Sequence, residues 1–479
     1  MKRVWLLVLA ALSMAHVGSP DAFFTGKAGP YDVRVTVRVP GVIPGRAQVA
    51  IRIVGATAAI HQVSLQAGQW NVGLKGAPPP EPAVVVPGDP HVYSAELWLM
   101  TASSYQMAVH VTGEAGSGTA IVPVVALATA ERPMPPWLGA ILAGLGLFLT
   151  AGFVTIIGSA IRESVLPPGV EPDSRRRMRA RMGIAVATLI VGLLLWGGNL
   201  WWAAEASGYS RFVLYRPFSA EVQTTPDAHF TLAIRDERWT GTPSPMSRYN
   251  ALLPDHGKLM HLFLVREPGL DGFAHLHPIA RSPQALEFDT TLPPLPAGRY
   301  RVYGDIVHES GYAQTMVSTV DVHDRGGRQP VDPDDSWFSA TAVDEGPSAS
   351  FPLQEGSRIV WDRGPSALVA GEEVLLAFSV QDAAGTKLTV EPYMGMAAHA
   401  IVASHDGSVF AHLHPSGSIS MAALQKFTAS TVGHAGHDDA LEGAVAIPFA
   451  FPQSGAYRIW VQIKRSGKVM TAAFNATVR

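Results

Sequence analysis

The chain has 479 residues, a length that predicts about three domains. Only 16% of the residues are charged and 47% are apolar, which favours a membrane-associated protein. The net charge of −3 argues against a nucleic-acid partner, because such a partner requires a clustered basic surface. The absence of cysteine excludes disulfides, thiolate nucleophiles and zinc sites that contain thiolates.

The first 15 residues have the pattern of a signal peptide. Lys2 and Arg3 precede an apolar run over residues 4–12, and small residues lead up to Ala15. The run is too short to span a bilayer, so we predict cleavage after Ala15 and export of the N-terminal portion that begins at His16. The alternative is an uncleaved N-terminal anchor.

Two uncharged runs, residues 137–161 and 183–204, are long enough to be transmembrane helices. Residues 162–182 lie between them and carry six arginines, which predicts a cytoplasmic loop. This loop and the signal peptide together predict a protein of the bacterial cytoplasmic membrane. Both large soluble portions then lie on the periplasmic or extracellular side.

Residues 16–132 have a β pattern. Apolar and polar residues alternate over residues 31–39 and 48–54, and Pro-Gly pairs mark turns between such runs. Short strands without helical stretches predict an Ig-like β-sandwich of about 100 residues.

The C-terminal portion contains an internal repeat. The sequence DGFAHLHP at residues 271–278 returns as GSVFAHLHP at residues 407–415. We predict two related β-sandwiches, 209–323 and 345–479, a linker at 324–344, and a His-rich insertion in the second copy at 427–443. The predicted fold class is therefore mainly β with two transmembrane α-helices, with Ig-like β-sandwiches outside the membrane.

The second copy predicts a cluster of histidines. Asp406-Gly407 is typical of a two-residue type I′ hairpin turn. Such a turn places His399 directly opposite His414, and strand alternation adds His412 to the same face. Opposed Cβ atoms lie about 4.5–5.5 Å apart, close enough for two imidazoles to share a metal ion.

The first copy predicts the same arrangement for His261, His275 and His277, so each copy has one candidate metal cluster. Neutral imidazole suits copper and zinc, and nearby methionines favour copper over zinc. The alternative is that these histidines form ordinary structural hydrogen bonds. Secondary candidates are a histidine at the predicted mature N-terminus, two residues after the Tyr303 strand, two histidines of the insertion, and two methionines: His16, Asp305, His308, His434, His437, Met260 and Met396.

The N-terminal portion, from residues 29–35 through 104–109 to 122–124, resembles the YtkA-like and FixH-like class of bacterial membrane-anchored proteins. Periplasmic Ig-type β-sandwiches of that class are associated with copper handling. A mature chain that begins at His16 is similar to the periplasmic copper-resistance sandwiches. The resemblance implies a β-sandwich and a metal-handling context, and it implies no particular site. The expected partners are other envelope or metalloenzyme-assembly proteins.

Three functions remain open on the sequence. The first is metal binding or delivery without turnover. The second is a metal-dependent enzyme, in which three imidazoles leave one position open on the ion and Asp305 or Glu309 is the general base. The third is a protein-interaction module in which the histidines are incidental. The sequence contains no G-x-S-x-G, H-E-x-x-H or phosphate-loop motif, which disfavours the enzyme.

Overall fold

The computed structural model describes residues 16–17, 21–55, 57–167, 169–236, 238–239, 249–282, 286–323, 328–329, 332–340, 349–353, 356–364, 366–428 and 443–479. The predicted signal peptide, residues 1–15, lies outside this part. The chain forms two compact units, Met1–Leu127 with Arg216–Arg479, and Ala128–Tyr215.

The second unit contains two long helices, α1 (Pro136–Glu163) and α2 (Ser174–Gly208), the latter continued by a π-helical turn to Val213. Both are long and apolar enough to cross a membrane. The arginine-rich segment is not entirely a loop as predicted, because its arginines from Arg175 onward form the first turns of α2. Arginine is a good helix former, and Asp173 caps the helix by accepting a hydrogen bond of 2.8 Å from the Arg176 amide.

The N-terminal part of the first unit is built from strands and one short 3₁₀ turn, Leu74–Gly76. The strands are β1 (His16–Val17), β2 (Ala22–Ala28), β3 (Tyr31–Arg38), β4 (Gly45–Val54), β5 (Ile60–Gln69), β6 (Glu81–Pro82), β7 (Val84–Val86), β8 (Asp89–Leu99), β9 (Ser104–Gly113) and β10 (Gly116–Val125). They form the sheets β2-β3-β4-β8-β7 and β10-β9-β5-β6. The predicted alternation in β3 is confirmed, since Val33, Val35 and Val37 are fully buried.

This N-terminal part is not a separate body. Phe23 of β2 is buried in an apolar core that belongs mainly to residues 359–478, with its ring centroid 5.9 Å from that of Phe449. The backbone amide of Thr25 donates a hydrogen bond of 2.9 Å to the Ser416 carbonyl. The N-terminal strands therefore stabilise the C-terminal part.

The first C-terminal half, residues 216–340, contains two sheets. Its strands are β11 (Ala220–Thr224), β12 (His229–Ile234), β13 (Leu252–Leu253), β14 (His261–Arg266), β15 (Gly272–Leu276), β16 (Ile279–Ala280), β17 (Glu287–Thr291), β18 (Gly298–His308), β19 (Ala313–Val322) and β20 (Ser336–Ser339). The sheets are β11-β12-β17-β16 and β13-β18-β14-β15-β20, with β19 on β18. Strand β20 comes from the predicted linker and pairs with β15, so that segment is partly structural.

The second half, residues 349–479, has part of this strand order. Its elements are β21 (Ser350–Pro352), β22 (Arg358–Asp362), β23 (Glu373–Gln381), β24 (His399–Ser404), β25 (Val409–Leu413), helix α3 (Met421–Thr428), β26 (Ala444–Ala450), β27 (Gly455–Arg465) and β28 (Lys468–Val478). The order β25-β24-β27-β28 corresponds to β15-β14-β18-β19. The predicted His-rich insertion begins inside α3, and its residues 429–442 lie outside the described part.

The β24–β25 hairpin has the predicted register, since Ile401 pairs with His412. Its turn differs from the predicted type I′, because only Gly407 of the central pair has a positive φ, of 69°. The Gly407 amide donates to the Ser404 carbonyl at 3.0 Å, and the Asp406 carboxylate accepts hydrogen bonds from Ser404 and Ser408. These side-chain bonds stabilise a longer turn with the same strand register.

Alternation along the two His-bearing hairpins divides their residues between two faces. One face of each hairpin supplies the apolar core of its own half, with Leu262 and Leu276 in the first half and Ala400 and Leu413 in the second.

The opposite faces pack against each other. Phe273 stacks on Trp460 at 4.7 Å between ring centroids, and Tyr303 stacks on Phe410 at 3.8 Å. Because each stack joins one half to the other, this aromatic contact fixes how the two His-bearing faces meet.

Candidate metal centre

One buried cluster brings seven imidazoles together between the two C-terminal halves. Neighbouring ring centroids lie 4.6 to 6.3 Å apart. The rings are those of His256, His261, His275, His277, His399, His412 and His414. The prediction of one separate cluster in each half is therefore wrong, although all six predicted residues are members. The reason is that both sets project from the faces that pack together.

A first group of three consists of His256, His399 and His414. One ring nitrogen from each residue lies within 4.8 Å of the others. His256 comes from the first half and the other two come from the second. His399 has no hydrogen-bond partner on either ring nitrogen in the described structure and is fully buried. A buried polar atom that has no hydrogen-bond partner costs about 1–3 kcal/mol of stability. The two ring nitrogens of His399 are therefore suited to a further binding partner such as a metal ion.

A second group consists of His261, His275 and His412, with the same limit of 4.8 Å between one nitrogen of each. Nδ1 of His261 and Nε2 of His275 lie 3.0 Å apart. The other nitrogen of each ring donates to an oxygen: His261 Nε2 to the Asp255 carbonyl at 3.1 Å, and His275 Nδ1 to Gln462 Oε1 at 2.8 Å.

These donations leave the two facing nitrogens without protons when both imidazoles are neutral. The orientation of Gln462 is consistent with this, because its Nε2 donates to Ser336 and Thr471. Two lone pairs that face each other at this distance repel. Two nitrogens bound at about 2.0–2.1 Å to a shared tetrahedral zinc ion would be separated by roughly 3.3 Å. The pair is therefore spaced for a shared ion.

Four of the seven rings are oriented in the way that metal-bound histidines usually are. Three of them donate Nδ1–H to a protein oxygen: His256 to the Met394 carbonyl at 2.7 Å, His414 to the Ile419 carbonyl at 3.2 Å, and His277 to Asp335 at 2.9 Å. Nδ1 of the fourth, His412, lies 3.4 Å from Oδ2 of Asp305. Nε2 of each ring is buried and has no partner in the described structure. A hydrogen bond at one nitrogen fixes the tautomer and directs the other lone pair to a metal.

The electrostatics keep five of these imidazoles neutral. Burial lowers the pKa of His261, His275, His399 and His414 well below the ordinary value, and the neighbouring imidazoles lower it further. Burial also lowers the pKa of His256. These rings are therefore unprotonated near neutral pH, which is the state in which imidazole binds metals.

A third group, His277 with Asp332 and Asp335, differs in chemistry. Its carboxylates are already paired: Asp332 contacts the Lys258 ammonium, and Asp335 accepts the Nδ1–H bond of His277. Burial opposes ionisation of Asp332, but its hydrogen bond with Lys258 gives a lowered pKa overall. Because a lysine already neutralises it, this group is a weaker candidate for a cation.

Of the secondary candidates whose side chains the structure describes, only Asp305 joins the cluster. His308 lies apart, donates to the Asn250 carbonyl at 2.6 Å and packs against Trp239; burial lowers its pKa to about 4. Met260 is fully buried in the first half's own core. The structure describes only the backbone of His16, which pairs with Val409, and places Met396 at a turn with Tyr393. His434 and His437 lie outside the described residues.

Sequence reasoning missed His256. It occupies the turn Asp255–Lys258, where His256 and Gly257 both have positive φ, 53° and 81°. Met394 and Gly395 form the corresponding turn of the second half, with φ values of 50° and 80°. The sequence did contain one signal. In each half, a residue followed by glycine begins five positions before the first histidine of the hairpin, which is His261 in the first half and His399 in the second.

Comparison with known proteins leaves the function open. A family model described as a domain of unknown function, DUF8832, matches residues 217–324 and 354–479. No curated protein matches the chain.

Solved structures give only weak likenesses. An engineered protein is 16% identical over 19% of this chain and 19% of its own, with a TM-score of 0.15. The alpha-2-macroglobulin of E. coli is 9% identical, with a TM-score of 0.20; the match covers 97% of this chain and 23% of that one. A putative membrane anchored protein from Corynebacterium diphtheriae is 10% identical over 96% of this chain and 94% of its own, with a TM-score of 0.15.

Proposed function

We propose that this protein is a membrane-anchored metal-binding protein of the bacterial cell envelope, which binds copper, or zinc, through imidazoles from both C-terminal halves. The observation that carries the proposal is the set of buried, unpartnered Nε2 atoms whose rings are fixed by Nδ1–H bonds to oxygens. Buried imidazole lone pairs whose rings are held in one orientation by a hydrogen bond at Nδ1 are suited to bind a metal ion, in competition with a proton. The low pKa values disfavour the proton.

The donor set supports copper ahead of zinc. The described donors of the cluster are imidazoles and carboxylates, which suit divalent copper and zinc. Met260 packs in the core of its own half, so its thioether is not a ligand that would favour copper at this cluster. Copper remains first because nitrogen sites bind Cu²⁺ more tightly than Zn²⁺ in the Irving–Williams order.

The surroundings of the cluster favour binding over catalysis. Of the two possible general bases, Asp305 already accepts a hydrogen bond of 2.6 Å from Thr315 and contacts His412. Glu309 is exposed at the surface. Five of the seven histidines are buried and the other two, His256 and His412, are partly buried, which suits storage, sensing or delivery of an ion better than turnover of a substrate.

The envelope location rests on the signal peptide, the arginine-rich segment and the two apolar helices. We also propose that the C-terminal halves are two copies of one Ig-like β-sandwich. The match of one family model to two segments and the common strand order support this repeat.

The test is metal binding by the full-length protein in detergent, because the N-terminal strands pack into the C-terminal core. We expect wild type to retain copper in near-stoichiometric amounts after removal of excess metal. His399→Gln and His412→Gln should weaken binding at least tenfold, whereas His229→Gln, a change at a partly buried histidine outside the cluster, should bind as wild type does. If wild type retains neither copper nor zinc, or the cluster variants match His229→Gln, the histidines are structural and an interaction module replaces this proposal.

A further inference from the structure

The imidazole cluster contains two complete three-histidine groups that share no residue. His256, His399 and His414 form one group, and His261, His275 and His412 form the other. Three imidazoles are a sufficient protein ligand set for one zinc- or copper-like ion, with one further position open. The number of converging donors is therefore twice what one ion requires.

The two groups are direct neighbours. Ring centroids from different groups lie 4.6 Å apart for His412 and His414, and 5.6 Å apart for His399 and His412. The distance for His256 and His261 is 5.9 Å. Two ions bound in these groups would have a separation of the same order as the about 3.5–4 Å of known two-metal sites.

Both groups draw ligands from both halves. The group with His399 contains one ring from the first half and two rings from the second half. The group with His412 contains two rings from the first half and one ring from the second half. Each group therefore exists only where the two halves are in contact, and the stacked pairs Phe273–Trp460 and Tyr303–Phe410 hold the halves together. The two groups differ in composition, because Met394 occupies the position in the second half that corresponds to His256 in the first.

Carboxylates beside the rings offset part of the charge of two ions. Asp305 contacts His412, and Asp335, whose side chain is 2% exposed, holds His277 next to the second group. His277 lies 4.6 Å from His275 between ring centroids. Burial of a cation pair among neutral imidazoles alone would be strongly unfavourable, so these acidic neighbours are suited to a charged centre.

We propose that the centre is dinuclear: each three-histidine group binds one copper or zinc ion, and the two ions form a coupled pair. This inference rests on the proposed metal-binding function and adds to it the number and proximity of the ions. It predicts that the ions can be removed one at a time by substitutions in different groups.

The experiment loads the full-length protein in detergent with Cu²⁺ and compares metal content with electron paramagnetic resonance. Wild type should give a half-field transition, or a spin concentration below its copper content, because two nearby Cu²⁺ ions interact magnetically. His414→Gln in the first group and His261→Gln in the second should each bind one copper fewer than wild type. The remaining ion should give a full-intensity isolated signal, and its retention shows that the variant is folded. His229→Gln is the control and should keep the coupled signal.

The outcomes separate the two proposals. Wild type that binds a single ion, or copper ions that are magnetically isolated, overturns the dinuclear centre and leaves metal binding intact. Loss of all copper in both variants also overturns it, since the groups are then one site. Wild type that binds no metal overturns both proposals.

Discussion

Asp305 lies with its Oδ2 atom 3.4 Å from Nδ1 of His412, across the contact between the two C-terminal halves. Gln462 is placed reciprocally, with Oε1 2.8 Å from Nδ1 of His275. The two acceptors occupy corresponding strand positions, since Asp305 pairs with His261 and Gln462 pairs with His399. Within the second group, the ring of His412 thus has a charged acceptor behind it and the ring of His275 has a neutral one.

Asp305→Asn should lower the metal affinity of the cluster about tenfold. Replacing a carboxylate behind a metal-bound imidazole lowers the basicity of the ring, and such changes typically cost about 10- to 100-fold in affinity. The measurement is competition for copper against a chelator of known affinity. Asp289→Asn is the matched control, because Asp289 contacts His229 outside the cluster. Equal affinities for the two variants would mean that Asp305 does not act on a metal ligand.

Without metal, the free energy of unfolding should fall as the pH falls below about 6.5. The pKa values of His256, His261, His275, His399 and His414 are lower in the folded protein than the ordinary value of 6.5. The unfolded chain therefore binds more protons than the folded chain below pH 6.5, and protons favour unfolding.

The size of this effect is measurable by chemical denaturation. Each such histidine contributes about 1.4 kcal/mol of destabilisation per pH unit below 6.5, until its folded pKa is reached. The penalty is absent above about pH 7.5, and His399→Gln should reduce it. A stability that does not change between pH 7.5 and 5.5 would contradict a neutral buried cluster.

Trp460→Ala should weaken both the fold and the metal site. Trp460 is fully buried and stacks on Phe273 across the contact between the halves. Loss of a buried tryptophan side chain costs about 3–5 kcal/mol, and here it also disturbs the alignment of the two His-bearing faces. Trp361→Ala is the control, since Trp361 is 2% exposed in the core of the second half. We expect the two variants to lose similar amounts of stability and only Trp460→Ala to lose copper affinity. Equal copper affinities in the two variants would mean that the aromatic contact does not align the metal site.

Metal should raise the thermal unfolding midpoint of wild type, because only the folded protein joins ligands from both halves. A free metal concentration of about 100 times the dissociation constant stabilises by about 2.7 kcal/mol per site. A chelator should reverse the shift, which differential scanning calorimetry measures. The shift should be smaller in His399→Gln, and a shift of equal size in that variant would place the bound metal elsewhere.

Reporter fusions should test the membrane orientation. A fusion at residue 172, between α1 and α2, should report the cytoplasm because of the neighbouring arginines. A fusion after residue 479 should report the opposite compartment. The same compartment for both fusions would contradict the proposed topology.

The sequence predicted the parts of this centre that local periodicity controls. Strand alternation and the hairpin register place His399, His412 and His414 on one face, and Ile401 pairs with His412 as expected. Periodicity does not say which side of a sheet packs against another sheet. The union of two sets into one cluster depends on tertiary contacts such as Phe273 with Trp460, which lie 187 positions apart in the sequence.

The positions of His256 and Asp335 could not be predicted from strand alternation. His256 enters the cluster from a turn with positive φ, outside any strand alternation. Asp335 comes from a segment whose composition predicted a linker, and the adjoining strand β20 anchors that segment to β15. Such segments carry no hydrophobic period from which their position could be inferred.

X-ray absorption spectroscopy of the copper-loaded full-length protein tests the assignment of the metal centre most directly, because it reports the atoms bound to the ion. We expect a first shell of nitrogen atoms at about 2.0 Å with the outer-shell scattering of several imidazole rings, and no sulfur. His412→Gln and His414→Gln should each lower the number of imidazoles per ion, while His229→Gln should leave the spectrum unchanged. A shell without imidazole scattering, or one that is identical in all these variants, would contradict the assignment of this cluster as the metal centre.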